Sequence, residues 1–82
     1  MFINKAVDGS NNLCGAQVAR LRVAMGISQR QLAALLQLEG LEIDKNAIQR
    51  IEAGKRFVTD IELVQLAKVL RVDIAQLLEI AQ

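Results

Sequence analysis

The segment 45–51 separates its side chains by chemistry. On a helix, its amides and cations share one half of the circumference, and its small and aliphatic side chains share the other half. The polar half consists of Lys45, Asn46, Gln49 and Arg50. In the major groove, amides form paired hydrogen bonds to adenine, and cations do so to guanine O6 and N7. The alternative is a solvated face without a partner, because a short polar face alone is not specific.

The composition excludes most catalytic and metal chemistry. The chain has 82 residues, no histidine, tryptophan, tyrosine or proline, and a single cysteine. The commonest general base and metal ligand are therefore missing, and neither an internal disulfide nor a cysteine-rich zinc site can form. We expect no enzymatic activity, no metal and no cofactor. Cys14 is expected to be a small, semi-buried residue, although its place at a helix start could lower the pKa of its thiol.

The charges are unevenly distributed along the chain. The formal net charge is only +1, but residues 19–56 carry seven basic and four acidic side chains, while residues 57–82 carry an acidic excess. The middle of the chain could therefore face an anion while the end does not. Scattered surface charges are the equally open alternative.

The apolar periodicity predicts an all-α fold. Five helices are expected, over residues 14–25, 29–38, 45–53 and 60–70 and in a short segment after Asp73. Their starts carry side chains that can accept hydrogen bonds from free N–H groups: Asn12, Ser28, Asp44, Thr59 with Glu62, and Asp73. Val18, Met25 and the regularly spaced leucines should form the core.

The two ends of the chain are expected to differ in order. Residues 1–12 read as a flexible N-terminal tail, and residues 13–82 as one domain. No apolar run approaches the roughly 18 residues of a membrane span, and the start lacks the order of a secretory signal. With one unpaired cysteine, this favours a cytoplasmic location.

Three segments carry motifs in a characteristic order. They are 26–33 (GISQRQLA), 51–56 (IEAGKR) and 66–72 (LAKVLRV). Together they resemble the phage repressor/Cro-type (XRE-like) helix-turn-helix family, and the resemblance covers residues 13–79. It implies a compact five-helix repressor-like domain whose third helix enters the major groove of DNA.

The resemblance also implies roles for individual residues. Base reading falls on Lys45, Asn46 and Arg50, with Gln49 as a fourth candidate. Phosphate contacts fall on four further residues, two at the start of the second helix and two in the loop after the third: Gln29, Arg30, Lys55 and Arg56. Arg22 and Glu52 resemble a structural pair that joins the first helix to the end of the third, rather than DNA contacts.

The turn between the second and third helices departs from the family pattern. Residues 37–43 make it several residues longer than usual. Leu38, Leu41 and Ile43 can pack back on the core. Glu39 and Glu42 lie near the expected DNA face, and we expect their carboxylates to disfavour binding to random DNA.

These observations predict a sequence-specific double-stranded DNA-binding transcriptional regulator, most simply a repressor. It is expected to be a homodimer, with Ile74, Leu77, Leu78 and Ile80 as candidate interface residues. One alternative is an antitoxin or accessory regulator that also binds a protein partner. The other is a helix-turn-helix fold used only for protein–protein interaction.

Overall fold

The computed structural model describes residues 9–78, which form five helices and no strand. The helices are α1 (Gly15–Ala24), α2 (Gln29–Leu38), α3 (Lys45–Glu52), α4 (Asp60–Leu70) and α5 (Ile74–Leu77). The all-α prediction is therefore confirmed. The starts of α2, α3 and α4 lie where they were predicted, while α1 and α3 are shorter at their ends than the sequence suggested.

Side chains fix the starts of three helices. The Ser28 hydroxyl accepts a hydrogen bond from the Gln31 N–H, and the Gln31 carboxamide accepts one from the Ser28 N–H. Thr59 and Glu62 form the same reciprocal box at α4. At α3, the Asp44 carboxylate accepts from the Ala47 N–H at 2.8 Å. Because these bonds satisfy donors that the helix itself leaves unpaired, they define where each helix begins.

One core joins the helices. The largest fully buried helical side chains come from all five helices: Leu32, Leu36, Ile48, Ile51, Leu66, Leu77 and Val18. α3 packs against α1 and α2, and α4 packs against α1, α2 and α5. Gly15 permits the closest approach, since a Cβ atom there would lie 2.2 Å from the carbonyl oxygen of Ile51. The core therefore fixes α3 rigidly from its aliphatic side.

Two predicted core residues lie at the surface. Met25 is 39% exposed, because α1 ends at Ala24 and the chain turns away from the core there. Leu38 is 82% exposed. It follows the fully buried Leu36 by two residues, which places it on nearly the opposite side of α2.

The lengthened turn covers the core as predicted with its other two apolar residues. Ile43 is buried, and Leu41 packs against the buried cluster. The Gln37 carboxamide donates a hydrogen bond to the Ile43 carbonyl at 2.8 Å and so ties the turn back to α2. The turn is therefore a packed connection rather than a loose loop.

The structure describes only the last residues of the expected tail. Residues 1–8 lie outside the described residues. Asn11 and Asn12, however, form hydrogen bonds to the chain around the end of α3, and the Asn12 carboxamide oxygen accepts from the Gly15 N–H at 2.8 Å. These two residues belong structurally with the helices, because their polar groups bond to backbone groups that the helices leave unpaired.

Cys14 is more buried than expected, with 1% of its surface exposed. Burial raises the pKa of its thiol, which reverses the lowering that a helix start alone suggested. Among the described helices, none has the length and apolar character that a membrane crossing requires.

Candidate nucleic-acid interface

The polar half of α3 points to solvent. Lys45, Asn46, Gln49 and Arg50 are all exposed, whereas Ile48 and Ile51 are fully buried. The four polar side chains make no hydrogen bond or ion pair with any other residue in the stretch 9–78. Their amide and cationic groups are thus held on a rigid helix with their hydrogen-bonding capacity unused.

Glu52, the last residue of α3, joins three helices. Its carboxylate accepts two hydrogen bonds from Arg22 of α1, from Nε at 2.6 Å and from Nη2 at 3.0 Å. It also accepts one from Nε2 of Gln29, the first residue of α2, at 2.9 Å. The hydrogen bond to Glu52 raises the pKa of Arg22 further above its ordinary range. The predicted Arg22–Glu52 pair is therefore confirmed, and Gln29 is a third member that the sequence did not suggest.

The start of α2 lies beside this cluster. Gln29 is half-buried, and one hydrogen of its amide is used by Glu52, which leaves the second one for another acceptor. Arg30 is exposed and, within the described part of the chain, forms no ion pair. The unpaired N–H groups at the start of a helix carry a partial positive charge, which attracts anions.

The two cationic residues of the loop after α3 have different surroundings. The Lys55 side chain is exposed, whereas Arg56 forms a bidentate pair with Glu62 of α4, both Nη–Oε distances being 2.9 Å. The Arg56 hydrogen bond lowers the pKa of the Glu62 carboxyl below its ordinary value. The family resemblance predicts a phosphate-binding role for Arg56, and in the structure its guanidinium braces the loop against α4.

The acidic residues of the lengthened turn have separate surroundings. Glu39 pairs with Lys68 of α4 at 2.7 Å, and Asp44 is occupied by capping α3. Glu42 is exposed, at the edge of a shallow groove that Gln37 and Ala47 also line. The expected repulsion of random DNA therefore depends on Glu42 more than on Glu39, whose charge is matched by a lysine.

Asn11 and Asn12 are the site-adjacent residues that sequence reasoning missed. The sequence indicates Asn12 only as a cap for the start of the first helix and Asn11 only as part of the expected tail, because two adjacent asparagines carry no signal for long-range contacts. Their hydrogen bonds reach residues 51–56, about forty positions further along the chain. Such long-range contacts depend on how α1 packs against α3, which the local sequence does not state.

Comparison with sequence models of protein families matches residues 18–77 to the helix-turn-helix family. The match spans most of the chain and includes most of α1 and all of α2 to α5. The chain belongs to the XRE-like helix-turn-helix family. The family that the motifs suggested is thus confirmed, and membership makes the chain a DNA-binding transcriptional regulator.

A solved structure supports the same XRE-like assignment. The high-resolution crystal structure of the restriction-modification controller protein C.AhdI from Aeromonas hydrophila superposes with a TM-score of 0.67 and 30% sequence identity. The similarity covers 77% of this chain and 84% of that one. A search of curated proteins gave no match.

Proposed function

We propose that this chain is a sequence-specific regulator of transcription that reads double-stranded DNA by placing α3 in the major groove. The observation that supports this most directly is the division of α3 into two halves. Ile48 and Ile51 are fully buried, while the amides and cations of the opposite half are exposed and form no bonds within the described residues. Base edges in the major groove offer the acceptors and donors that these side chains lack.

Base reading is assigned to Lys45, Asn46, Gln49 and Arg50. Amides recognise adenine through N6 and N7, and the cations recognise guanine through O6 and N7. The first turn of a recognition helix reaches deepest into the groove in helix-turn-helix proteins, which favours Lys45 and Asn46 as the central contacts. Arg50, one turn further along, would read a neighbouring base pair.

Phosphate binding is assigned to residues that lie before and after α3 in the sequence. Gln29 and Arg30 stand at the start of α2, where helix N–H groups attract anions. Lys55 and Arg56 lie in the loop after α3. Arg56 keeps its pair with Glu62 in this proposal, because the guanidinium has five N–H donors and the pair occupies only some of them.

We further propose a homodimer that binds a palindromic site. One module reads few base pairs, and two copies related by a two-fold axis double the contacts. In α5, Ile74 is 38% and Leu78 is 37% exposed, whereas Leu77 is fully buried and belongs to the core of its own chain. We therefore retain Ile74 and Leu78 as interface candidates and remove Leu77, while Ile80 lies outside the described residues.

Repression by occupancy is the simplest regulatory outcome, because it requires only that the protein cover a promoter. We assign the chain no catalytic role, and a cytoplasmic location where it can reach chromosomal DNA. In a reconstituted transcription reaction, adding the protein should reduce transcripts from a promoter that contains its selected site, while a promoter with a scrambled site should be unaffected. An increase in transcripts would show an activator instead.

A second candidate is control of a restriction–modification system. It is favoured by the 30% identity to the controller protein C.AhdI over most of both chains. The two candidates share the DNA-binding mode and differ in the genes that carry the site. Finding the selected site upstream of restriction and modification genes in the source genome would support this role, and its absence there would argue against it.

The experiment that tests DNA reading is selection of bound duplexes from a random pool, followed by fluorescence anisotropy at several salt concentrations. We expect one enriched sequence with two-fold symmetry. Its affinity should fall steeply with salt, with a log–log slope of about −0.9 for each phosphate neutralised. Recovery of no enriched sequence, together with weak binding that does not respond to salt, would favour a fold used only for protein–protein interaction.

A further inference from the structure

The chain before α1 is fastened to the loop that follows α3. The Asn12 carboxamide donates hydrogen bonds to the carbonyl oxygens of Ile51, at 3.1 Å, and Arg56, at 2.8 Å. Its own oxygen accepts from the Gly15 N–H at 2.8 Å. One side chain thereby joins the start of α1, the last turn of α3 and the far end of the loop.

Asn11 fastens the middle of the same loop. Its backbone N–H donates to the Gly54 carbonyl at 2.8 Å, and its carboxamide donates to the Lys55 carbonyl at 2.9 Å. Together the two asparagines bind three consecutive carbonyl groups, those of Gly54, Lys55 and Arg56. These three carbonyl groups therefore face residues 11–12.

This arrangement determines where the opposite side of the loop faces. In a trans peptide, the N–H group points away from the C=O group of the same plane, and the described chain contains no cis peptide. Because the carbonyls of Lys55 and Arg56 face the asparagines, the N–H groups of Arg56 and Phe57 point away from them. Neither N–H group has an acceptor among residues 9–78. The exposed Lys55 side chain belongs to the same loop.

We propose that Asn11 and Asn12 are positioning residues for DNA-backbone binding. They hold the loop 54–57 so that Lys55 and the two outward N–H groups meet a phosphate without further ordering. This inference rests on the function proposed above, since it assumes that the loop lies along the DNA backbone. In this proposal Asn11 and Asn12 contact the loop but not the DNA, and the loop contacts the DNA backbone.

The physical gain is in conformational entropy. Ordering a flexible loop on binding costs affinity, and a loop that is already ordered avoids that cost. Without the asparagines, the bonds that remain at its start are those from the Gly54 N–H to Ile51 and from the Lys55 N–H to Arg50. These hold the beginning of the loop, and the Arg56–Glu62 pair holds it to α4 through a side chain, but the carbonyls of Lys55 and Arg56 would lose their donors.

The test compares Asn12→Ala with a matched control, Gln17→Ala. The Gln17 carboxamide donates one hydrogen bond to the Gln76 carbonyl at 2.8 Å, between α1 and α5, and does not contact the loop. Neither substitution changes the net charge. Folding is checked by circular dichroism, and binding to a random duplex is measured by anisotropy over a range of salt concentrations, alone and combined with Lys55→Ala.

We expect Asn12→Ala to weaken binding on the order of tenfold, the loss typical of one weakened bond to a charged group. The salt slope should become shallower by up to about 0.9, because Lys55 no longer neutralises its phosphate fully. In the Lys55→Ala background, Asn12→Ala should have a smaller effect. Gln17→Ala should lower the melting temperature and leave the salt slope unchanged.

Should Asn12→Ala fail to fold, Asn11→Ala replaces it, since this variant keeps the backbone bond to Gly54 and all contacts of Asn12. A folded variant that binds with wild-type affinity and slope would overturn the positioning role while the proposed function stands. A wild-type protein that binds no duplex would overturn both. Equal effects of Asn12→Ala with and without Lys55 would overturn the positioning of Lys55 by the asparagine.

Discussion

Among single residues, those on the exposed half of α3 and those in the loop after it are expected to contribute to DNA binding in different ways. A side chain that contacts base edges contributes mainly on the correct sequence, whereas one that contacts phosphate contributes on every sequence. Asn46 and Lys55 are both exposed, and neither forms an ion pair or hydrogen bond through its side chain in the described range. Replacing either one should therefore change DNA binding without disturbing the fold.

The first prediction separates these two contributions. Asn46→Ala and Arg50→Ala should each cost about 1–3 kcal/mol on the selected site and relax the preference for its sequence. Lys55→Ala should weaken selected and random duplexes by the same factor and reduce the salt slope by about one phosphate. Anisotropy titrations on both duplexes measure the difference. Equal losses on both duplexes for all three variants would contradict the assignment of base reading to α3.

At the scale of elements, two ion pairs join helices that are distant in sequence. Arg22–Glu52 connects α1 to the end of α3, and Arg56–Glu62 connects the loop after α3 to the start of α4. The first pair is the more buried, with side chains 15% and 8% exposed. Both pairs lie near the C-terminal end of α3, and each should contribute to the free energy of unfolding.

The second prediction concerns Glu52. Glu52→Ala removes the acceptor shared by Arg22 and Gln29. It leaves Nε and Nη2 of Arg22 and Nε2 of Gln29 without a partner, while Arg22 Nη1 keeps its bond to the Ile27 carbonyl. Breaking a buried pair in this way costs about 3–5 kcal/mol, and the partial exposure here places the expected loss at the lower end. Urea denaturation measures the free energy of unfolding.

The control for Glu52 is Glu39→Ala. Glu39 pairs with Lys68, whose side chain is 65% exposed, so its removal should cost at most about 1 kcal/mol. Glu52→Gln should fall between the two, because it keeps one acceptor and loses the charge. Similar losses for Glu39→Ala and Glu52→Ala would show that the Arg22–Glu52 pair is no stronger than a surface pair.

The third prediction concerns the acid dependence of stability. The hydrogen bond from Arg56 lowers the pKa of Glu62 in the folded state, so this pair stabilises the fold at pH values above the carboxyl's unfolded pKa. The contribution is lost as the pH falls through the lowered folded value. Stability should therefore decline on acidification below the ordinary value of 4.5.

Comparison with Glu62→Gln isolates this contribution. The variant should be less stable than wild type near neutral pH, and the difference should shrink as the pH falls below 4.5 and the wild-type carboxyl becomes protonated. Melting temperatures across this range provide the measurement. A difference that stays constant from neutral to acidic pH would mean that the carboxylate charge does not contribute.

At the scale of the whole molecule, the apolar residues left at the surface bear on self-association. Ile74 and Leu78 lie in α5, and Ile61 and Val64 are exposed on α4, which packs against α5. Leu38 is even more exposed but lies at the end of α2. Apolar surface that recurs on adjacent elements is typical of an interface, whereas a single exposed leucine is not.

The fourth prediction tests the homodimer. Leu78→Glu should shift sedimentation towards the monomer, since it places a charge in the proposed apolar interface. It should weaken binding to the palindromic site strongly and to a single half-site little. Leu38→Glu is the matched control and should leave both properties unchanged. A wild-type protein that sediments as a monomer when bound to the palindrome would contradict the dimer.

The sequence alone determined the elements, the family and the outward face of α3. Capping residues mark where α2, α3 and α4 begin, and apolar spacing marks which face is buried, because both signals arise from neighbours within a few residues. The exposed positions of Lys45, Asn46, Gln49 and Arg50 follow from that periodicity and agree with the structure.

Only the tertiary structure decided which distant groups meet. In the folded chain, Gln29 donates a hydrogen bond to Glu52, and Arg56 donates one to Glu62. Asn12 donates to carbonyl groups around the end of α3. Met25 and Leu38 lie at the surface and Leu77 lies in the core, contrary to the sequence-based expectation. These outcomes depend on how five helices pack together, and a hydrogen bond between residues forty positions apart leaves no periodic trace in the chain. Local patterns specify each helix, whereas packing specifies its partners.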